Sequence, residues 1–302
     1  MRQGHGDSGA STADAEPGWD FRILGPWEIN DAGAGVAVPA RQTRVLLSSL
    51  LLSANRPVPV EALTRQLWPE QTPDRVRPTL HTYVARLRKL LGKQLIRTTT
   101  GGGYQLDVPA DSVDLHRFRT LVHRAGTAAT PGTELALLRA ALRLWRGRPF
   151  TGVPSPWLDR DVVPLLIEEW FAATERRIDL DLAAGPATAT IVELRDLTTG
   201  YPARESLWLR LIAALHLAGR RADALDAYRQ VRAFLRTELG VDPNPALQRL
   251  QRAVLVGEVP EPYGVPAAPP ARPAPGAGPC CCWTTPATPT RYGRSCPARR
   301  AW

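Results

Sequence analysis

Lysine is almost missing from this 302-residue chain: Lys89 and Lys93 are the only two among 38 basic residues, and every other cation is arginine. Cysteine is confined to the end, at Cys280, Cys281, Cys282 and Cys296, so neither disulfides nor thiolate metal sites can support the preceding 250 or so residues. No apolar run reaches the roughly 18 residues that a membrane-spanning helix needs. The first residues also lack the basic start and apolar centre of a secretory signal. A soluble, cytoplasmic protein with no membrane partner is the expectation. G-x-S-x-G, H-E-x-x-H and Walker A patterns are absent too, which leaves no visible apparatus for catalysis and implies neither a metal nor a cofactor. His116 and His123, seven apart on one predicted helix, are too widely spaced to share a metal.

What is present is 44% hydrophobic residues, enough for real cores, and a formal net charge of +9 that suits a polyanionic partner. The placement of that charge is more telling than its total. Arg75, Arg77, Arg86, Arg88, Lys89, Lys93 and Arg97 all fall in a stretch, Arg75 through Leu106, that contains no acidic residue.

Four regions follow from the patterning. Residues 1–18, rich in Gly, Ser, Ala and Asp, form an expected disordered leader, and residues 257–302, with 11 of the 29 prolines, an expected disordered tail. Between them, residues 19–110 and 111–256 read as two folded domains.

In the first domain, Phe21, Ile23, Trp27 and Ile29 alternate with polar residues; a turn at Asp31 to Gly35 and a return strand at Val36 to Val38 complete a small antiparallel sheet. Helices are predicted over Gln42 to Ala54, Val60 to Leu67 and Arg77 to Leu91. In the third, Leu80, Val84, Leu87 and Leu91 define one buried face, and Pro78 sits near the first turn, where its missing N–H is harmless. At 100° per residue, Thr82, Ala85, Arg86 and Lys89 lie opposite, with His81 and Arg88 on the shoulder. Gly92 closes the helix, and strands at Leu95 to Thr100 and Tyr104 to Val108 flank three glycines, which is a β-hairpin signature. Small sheet, three helices and hairpin make a winged helix-turn-helix.

The second domain reads as wholly helical, over Leu115 to Gly126, Thr133 to Arg146, Trp157 to Ala183, Thr188 to Thr199, Ala203 to Ala218, Arg221 to Leu239 and Pro245 to Val256. Trp208, Leu211, Gly219, Ala224, Tyr228 and Pro243 fall at the spacing of a tetratricopeptide unit, while the repeat signal upstream is degenerate. The chain is therefore mainly α, a winged helix-turn-helix followed by an all-α, tetratricopeptide-like domain. Trp145, Trp157, Trp170, Phe171, Trp208 and Tyr228 read as packing residues of that domain.

A helix whose exposed side carries Thr, Ala, Arg and Lys fits the DNA major groove, where guanine offers O6 and N7 to a bidentate arginine. Arg86 is the leading candidate for that contact, with Thr82, His81 and Arg88 as further base-contact candidates. Arg75, Arg77, Lys89, Lys93 and Arg97, with Thr99, Thr100 and Gly102 at the hairpin, are candidates for phosphate contacts. The plainer alternative is a solvated amphipathic helix in a protein-interaction module; the two preceding helices and the following hairpin weigh against it.

These residues together resemble the Streptomyces antibiotic regulatory protein family. The resemblance runs from Phe21-Arg22-Ile23-Leu24-Gly25-Pro26 through Ala54-Asn55-Arg56-Pro57-Val58, the Tyr83 to Gly92 segment, Gly103-Tyr104 and Val113-Asp114-Leu115. It continues with Leu144-Trp145-Arg146-Gly147 and Glu238-Leu239-Gly240-Val241-Asp242-Pro243, and covers about Phe21 to Leu255 in all. It implies an OmpR-like winged helix joined to a bacterial transcriptional activation domain. Such a protein would activate a secondary-metabolite (antibiotic) gene cluster, bind direct repeats near promoters on double-stranded DNA with self-association, and engage RNA polymerase holoenzyme. Carried over by position, the recognition-helix arginines fall on Arg86 and Arg88 and the wing on Thr98 to Gly103. Pro78 departs from the pattern, where a polar or basic residue is common.

Overall fold

The computed structural model describes residues 18–70, 72–185 and 188–258. The expected leader over 1–18 and tail over 257–302, with its four cysteines, lie outside the described residues apart from Gly18, Gly257 and Glu258. The fold is mainly helical, with the small sheets confined to the N-terminal winged helix-turn-helix.

The chain opens as a three-stranded antiparallel sheet of β1 (Trp19–Arg22), β2 (Glu28–Asp31) and β3 (Ala34–Gly35), with Phe21 opposite Ile29. The return strand is Ala34–Gly35, within the predicted turn, and the predicted strand residues Val36 to Val38 lie beyond it. Ala32 and Gly33 both have positive φ, 47° and 86°, so the turn takes only two residues and Ala34 pairs at once with Asp31. Helices α1 (Arg41–Leu52), α2 (Val60–Leu67) and α3 (Val76–Leu91) follow, then the hairpin β4 (Ile96–Thr98) and β5 (Tyr104–Leu106). α1 is apolar almost all round because it is the central helix: Leu46, Leu47, Leu50 and Leu51 are fully buried.

The helical half contains α4 (Asp114–Gly126), α5 (Pro131–Leu142), α6 (Val163–Ala184), α7 (Thr188–Gly200), α8 (Glu205–Leu217), α9 (Arg221–Phe234) and α10 (Pro245–Val256). Neighbouring helices pack in sequence, as expected of hairpins in a repeat-like array. Two predicted helices are interrupted. The helix expected from Trp157 opens as a π-turn at Leu158–Val162, because Pro164 has no N–H to close the α-helical bond to Arg160. The helix expected to run to Leu239 becomes a π-turn at Leu235–Leu239 and closes on Gly240, whose φ is 69°.

The predicted helix to Arg146 stops at Leu142, and the reason lies far away in sequence. Residues 146–151 turn back to run beside residues 23–27: Arg146 N–H donates to Leu24 O at 2.8 Å, Phe150 N–H to Ile23 O at 2.9 Å and Trp27 N–H to Thr151 O at 2.9 Å. Gly25 permits this approach. Its φ is 150°, and a Cβ there would lie 2.8 Å from Arg146 Cβ. At the same seam the Asp114 carboxylate, 1% exposed, accepts from the N–H groups of Ile23, Leu24 and its own neighbour Leu115, each at 2.8 to 2.9 Å. Burial pushes this carboxyl above its ordinary pKa, against the pull of those three amides and Arg146. Accordingly one hydrophobic core runs from Phe21 through the winged helix into α4, α5 and the first half of α6, ending at Ala173. A second core joins the end of α6 to α7 through α10.

α6 belongs to both cores, and a charged layer lies where they meet. Arg210, 5% exposed, makes two 2.8 Å bonds to Asp179 and a 3.1 Å contact with Glu175. Three of the aromatic residues read as packing, Trp145, Trp170 and Phe171, form a ladder alongside with Phe118 and Tyr201 at its ends, at centroid distances of 4.7 to 6.2 Å. Arg204 stacks on Phe171 at 3.8 Å.

Candidate nucleic-acid interface

α3 has no acidic residue in its first turn, no side-chain cap and two cations, Arg88 and Lys89, in its last turn. Leu80, Val84 and Leu87 are fully buried and Leu91 nearly so, which turns the opposite face outward. Tyr83 packs against Trp68 at the end of α2, with ring centroids 6.1 Å apart, and fixes the rotation of the helix. His81, Thr82, Arg86 and Lys89 are exposed, as are Arg75 and Arg77 beside the helix N-terminus, whose free N–H groups favour an anion. Lys93 is exposed just past the C-terminal end.

Among the described residues, Arg75, Arg77, Arg86, Lys89 and Lys93 have no acidic partner, whereas the arginines of the helical half are widely paired: Arg119 with Glu169, Arg139 with Asp181, Arg176 with Glu134, Arg210 with Asp179. The cations of α3 are thus left unneutralised by the fold itself. The Thr82 hydroxyl donates to Pro78 O at 3.0 Å, so toward a ligand it offers only a lone pair and its methyl group.

Two of the cationic candidates are already engaged. Arg88 is half-buried and donates from Nε to Ile96 O and from Nη2 to Thr98 Oγ1, both at 2.9 Å, which ties the recognition helix to the wing strand β4. Arg97 is exposed but bonded through Nε to Asp107, and that contact holds the Asp107 carboxyl below its ordinary range. Thr99, Thr100 and Gly102 form the wing tip. Thr99 N–H donates to Gly103 O at 3.0 Å, Gly102 N–H to Thr99 O at 3.0 Å, and the Thr99 hydroxyl accepts from Gly103 N–H at 3.2 Å, while Gly102 takes φ 77°. The structure therefore gathers the α3 candidates on one face and sets the wing candidates at a separate tip, joined through Arg88.

Residues that sequence reasoning left out hold this wing in place. Val58 and Tyr104 pair as an antiparallel bridge, with N–H to O bonds of 2.8 and 3.0 Å in the two directions. Asn55, at φ 63°, donates from Nδ2 to Val108 O at 2.9 Å and accepts from Val108 N–H at 3.0 Å. Nothing local to Asn55-Arg56-Pro57, just beyond α1, says that the Asn55 amide reaches Val108. Arg88→Ala should leave the fold intact and weaken DNA binding of all sequences by about 1 kcal/mol, since it frees the wing without removing a cation from the groove face. Fluorescence anisotropy on specific and random duplexes measures this; a loss confined to the specific duplex would instead make Arg88 a base reader.

A winged helix with an unpaired cationic recognition helix, continuous with a helical-repeat module, defines a DNA-binding transcription regulator. Among the described residues no group of His, Cys, Asp and Glu could hold a metal, and no helix is long and apolar enough to cross a membrane. Residues 36–106 match the model for the C-terminal domain of transcriptional regulatory proteins, and residues 113–255 match the bacterial transcriptional activator domain. The regulatory protein DnrI of Streptomyces peucetius is 36% identical over 250 residues, spanning 78% of this chain and 91% of DnrI. The transcriptional regulatory protein EmbR of Mycobacterium tuberculosis is 36% identical over 254 residues, 82% of this chain and 66% of EmbR, so the chain spans about two thirds of that relative. The solved structure of EmbR in complex with a low affinity phosphopeptide superposes with a TM-score of 0.77 at 34% identity, covering 82% of this chain and 67% of that one. The chain belongs to the Streptomyces antibiotic regulatory protein family of transcriptional regulators.

Proposed function

We propose that this protein is a sequence-specific transcriptional activator of a secondary-metabolite gene cluster, acting in the bacterial cytoplasm. In this reading residues 19–110 bind direct repeats near promoters, protomers associate on DNA, and residues 111–256 help RNA polymerase engage. The observation that carries the proposal is the exposed face of α3, where His81, Thr82, Arg86 and Lys89 stand together with no acidic partner for the cations. Arg86 reads guanine, with His81 and Thr82 beside it; Arg75, Arg77, Lys89 and Lys93 hold phosphates and set the register. Arg88 positions the wing, whose tip at Thr99, Thr100 and Gly102 lies along the backbone, and Arg97 joins it by exchanging Asp107 for phosphate.

The test is a pair of variants on duplexes from upstream of the neighbouring operon. Arg86→Ala should cost about 1 to 3 kcal/mol and relax preference at one base pair, whereas Lys93→Ala should weaken all sequences and lower the salt slope by about 1. Equal losses on cognate and scrambled DNA for both variants would contradict the division of roles.

A further inference from the structure

Helices α7 and α9 both pack on α8, and between them the second core leaves a cavity of about 430 Å³. That volume lies in the range of about 300–1,000 Å³ typical of ligand sites. Most of its lining is polar; Trp208 and Leu211, both nearly buried, and the half-buried Phe234 give it a small apolar floor. The Trp208 indole N–H is already donated to Pro202 O at 2.9 Å, so that ring presents only a surface for packing. The rim is polar and its charges are unequally compensated. On α9, Asp223 pairs with Arg220 at 2.6 Å and Asp226 pairs with Arg229. On α7, Arg195 is exposed and, among the described residues, has no acidic partner.

The hydrogen-bonding groups match a peptide main chain better than a compact apolar molecule. The Thr199 hydroxyl, on the exposed rim, donates to Arg195 O at 2.8 Å and keeps a lone pair suited to a main-chain N–H, while the Thr198 hydroxyl is buried and spent on carbonyls of its own helix. Gln230 offers both a donor and an acceptor from the facing helix. Val192, 55% exposed and one turn before Arg195 on α7, extends an apolar surface beyond the cavity. We propose that this cavity seats an extended peptide segment of a partner protein, with an acidic side chain paired to Arg195 and a neighbouring apolar side chain against Trp208, Leu211 and Phe234. The site lies in the helical half and stands or falls independently of the DNA reading.

The probe is a set of capped, fluorescein-labelled pentapeptide mixtures with Leu or Phe at the positions flanking a central Asp, Asn or Lys, titrated into the full chain by anisotropy. The Asp mixture should bind saturably, and the Asn and Lys mixtures at least about tenfold more weakly. Arg195→Glu should abolish the preference for Asp, and Thr199→Trp, which fills the rim, should abolish binding, while both variants keep the parent's DNA affinity as evidence of an intact fold. No saturable binding of the Asp mixture to the parent chain overturns the proposal, as does equal binding of the Lys mixture; neither result depends on a variant folding. Parent-like peptide binding by both variants overturns it as well.

Discussion

Replacing Asp114 with alanine should lower the unfolding free energy by about 3 to 5 kcal/mol, because three buried backbone N–H groups lose their only side-chain acceptor at once. Each such group costs about 1 to 3 kcal/mol when left unpaired, and water cannot replace the carboxylate without opening the seam. Asp114→Asn should recover only part of the loss, since one amide oxygen would replace two and the new NH2 would face other donors. The check is the urea midpoint, read by far-UV circular dichroism and by binding of a specific duplex in the same samples. Both signals should shift together, because the core that holds α1 and β1 continues into α4 and α5. A shift below about 1 kcal/mol, or a DNA-binding signal lost well before the helical signal, would show that the seam does not couple the two halves.

The second large effect is expected at the wing, where three successive glycines should respond in graded order. Gly101 has open space around it and no positive φ, so Gly101→Ala should be neutral. Gly102 has open space but φ 77°, and alanine there should cost about 1 kcal/mol of backbone strain. Gly103 has no positive φ, yet a Cβ on it would collide with the Val58 carbonyl oxygen and come within 3.1 Å of Pro59 Cα. Because that oxygen belongs to the backbone bridge between Val58 and Tyr104, neither partner can swing aside. Gly103→Val should therefore cost about 3 kcal/mol and reduce affinity for specific and random DNA alike by roughly tenfold. Thermal melts and anisotropy at fixed salt measure both effects. Equal tolerance at all three positions would mean that the wing is not seated on the α1 to α2 connection.

Much of this molecule could be read along the chain. The buried row of α3 follows directly from the spacing of Leu80, Val84, Leu87 and Leu91, since a helix period converts a linear pattern into a face. Exposure of Arg86 and His81 follows from the same period. The hairpin follows from three glycines between apolar runs, and the tetratricopeptide-like unit from Trp208, Gly219 and Tyr228. What failed did so where a distant segment overrode local preference. Arg146 belongs to a good helical pattern, yet its backbone N–H bonds Leu24, so the helix ends four residues early. Arg88 has the same local character as Arg86, yet only Arg88 has β4 within reach.

The sequence by itself determined the elements, the buried faces and the cationic patch, because periodicity, turn chemistry and charge spacing are properties of neighbours in the chain. Tertiary structure alone decided which arginine of α3 stays unpaired on the exposed face and which braces the wing. It also decided that Asp114 grips residues some ninety positions upstream and that the winged helix shares its core with α4 to α6. Hydrogen bonds and close contacts of that kind depend on where the chain returns in space, and a helical or strand period carries no record of that distance.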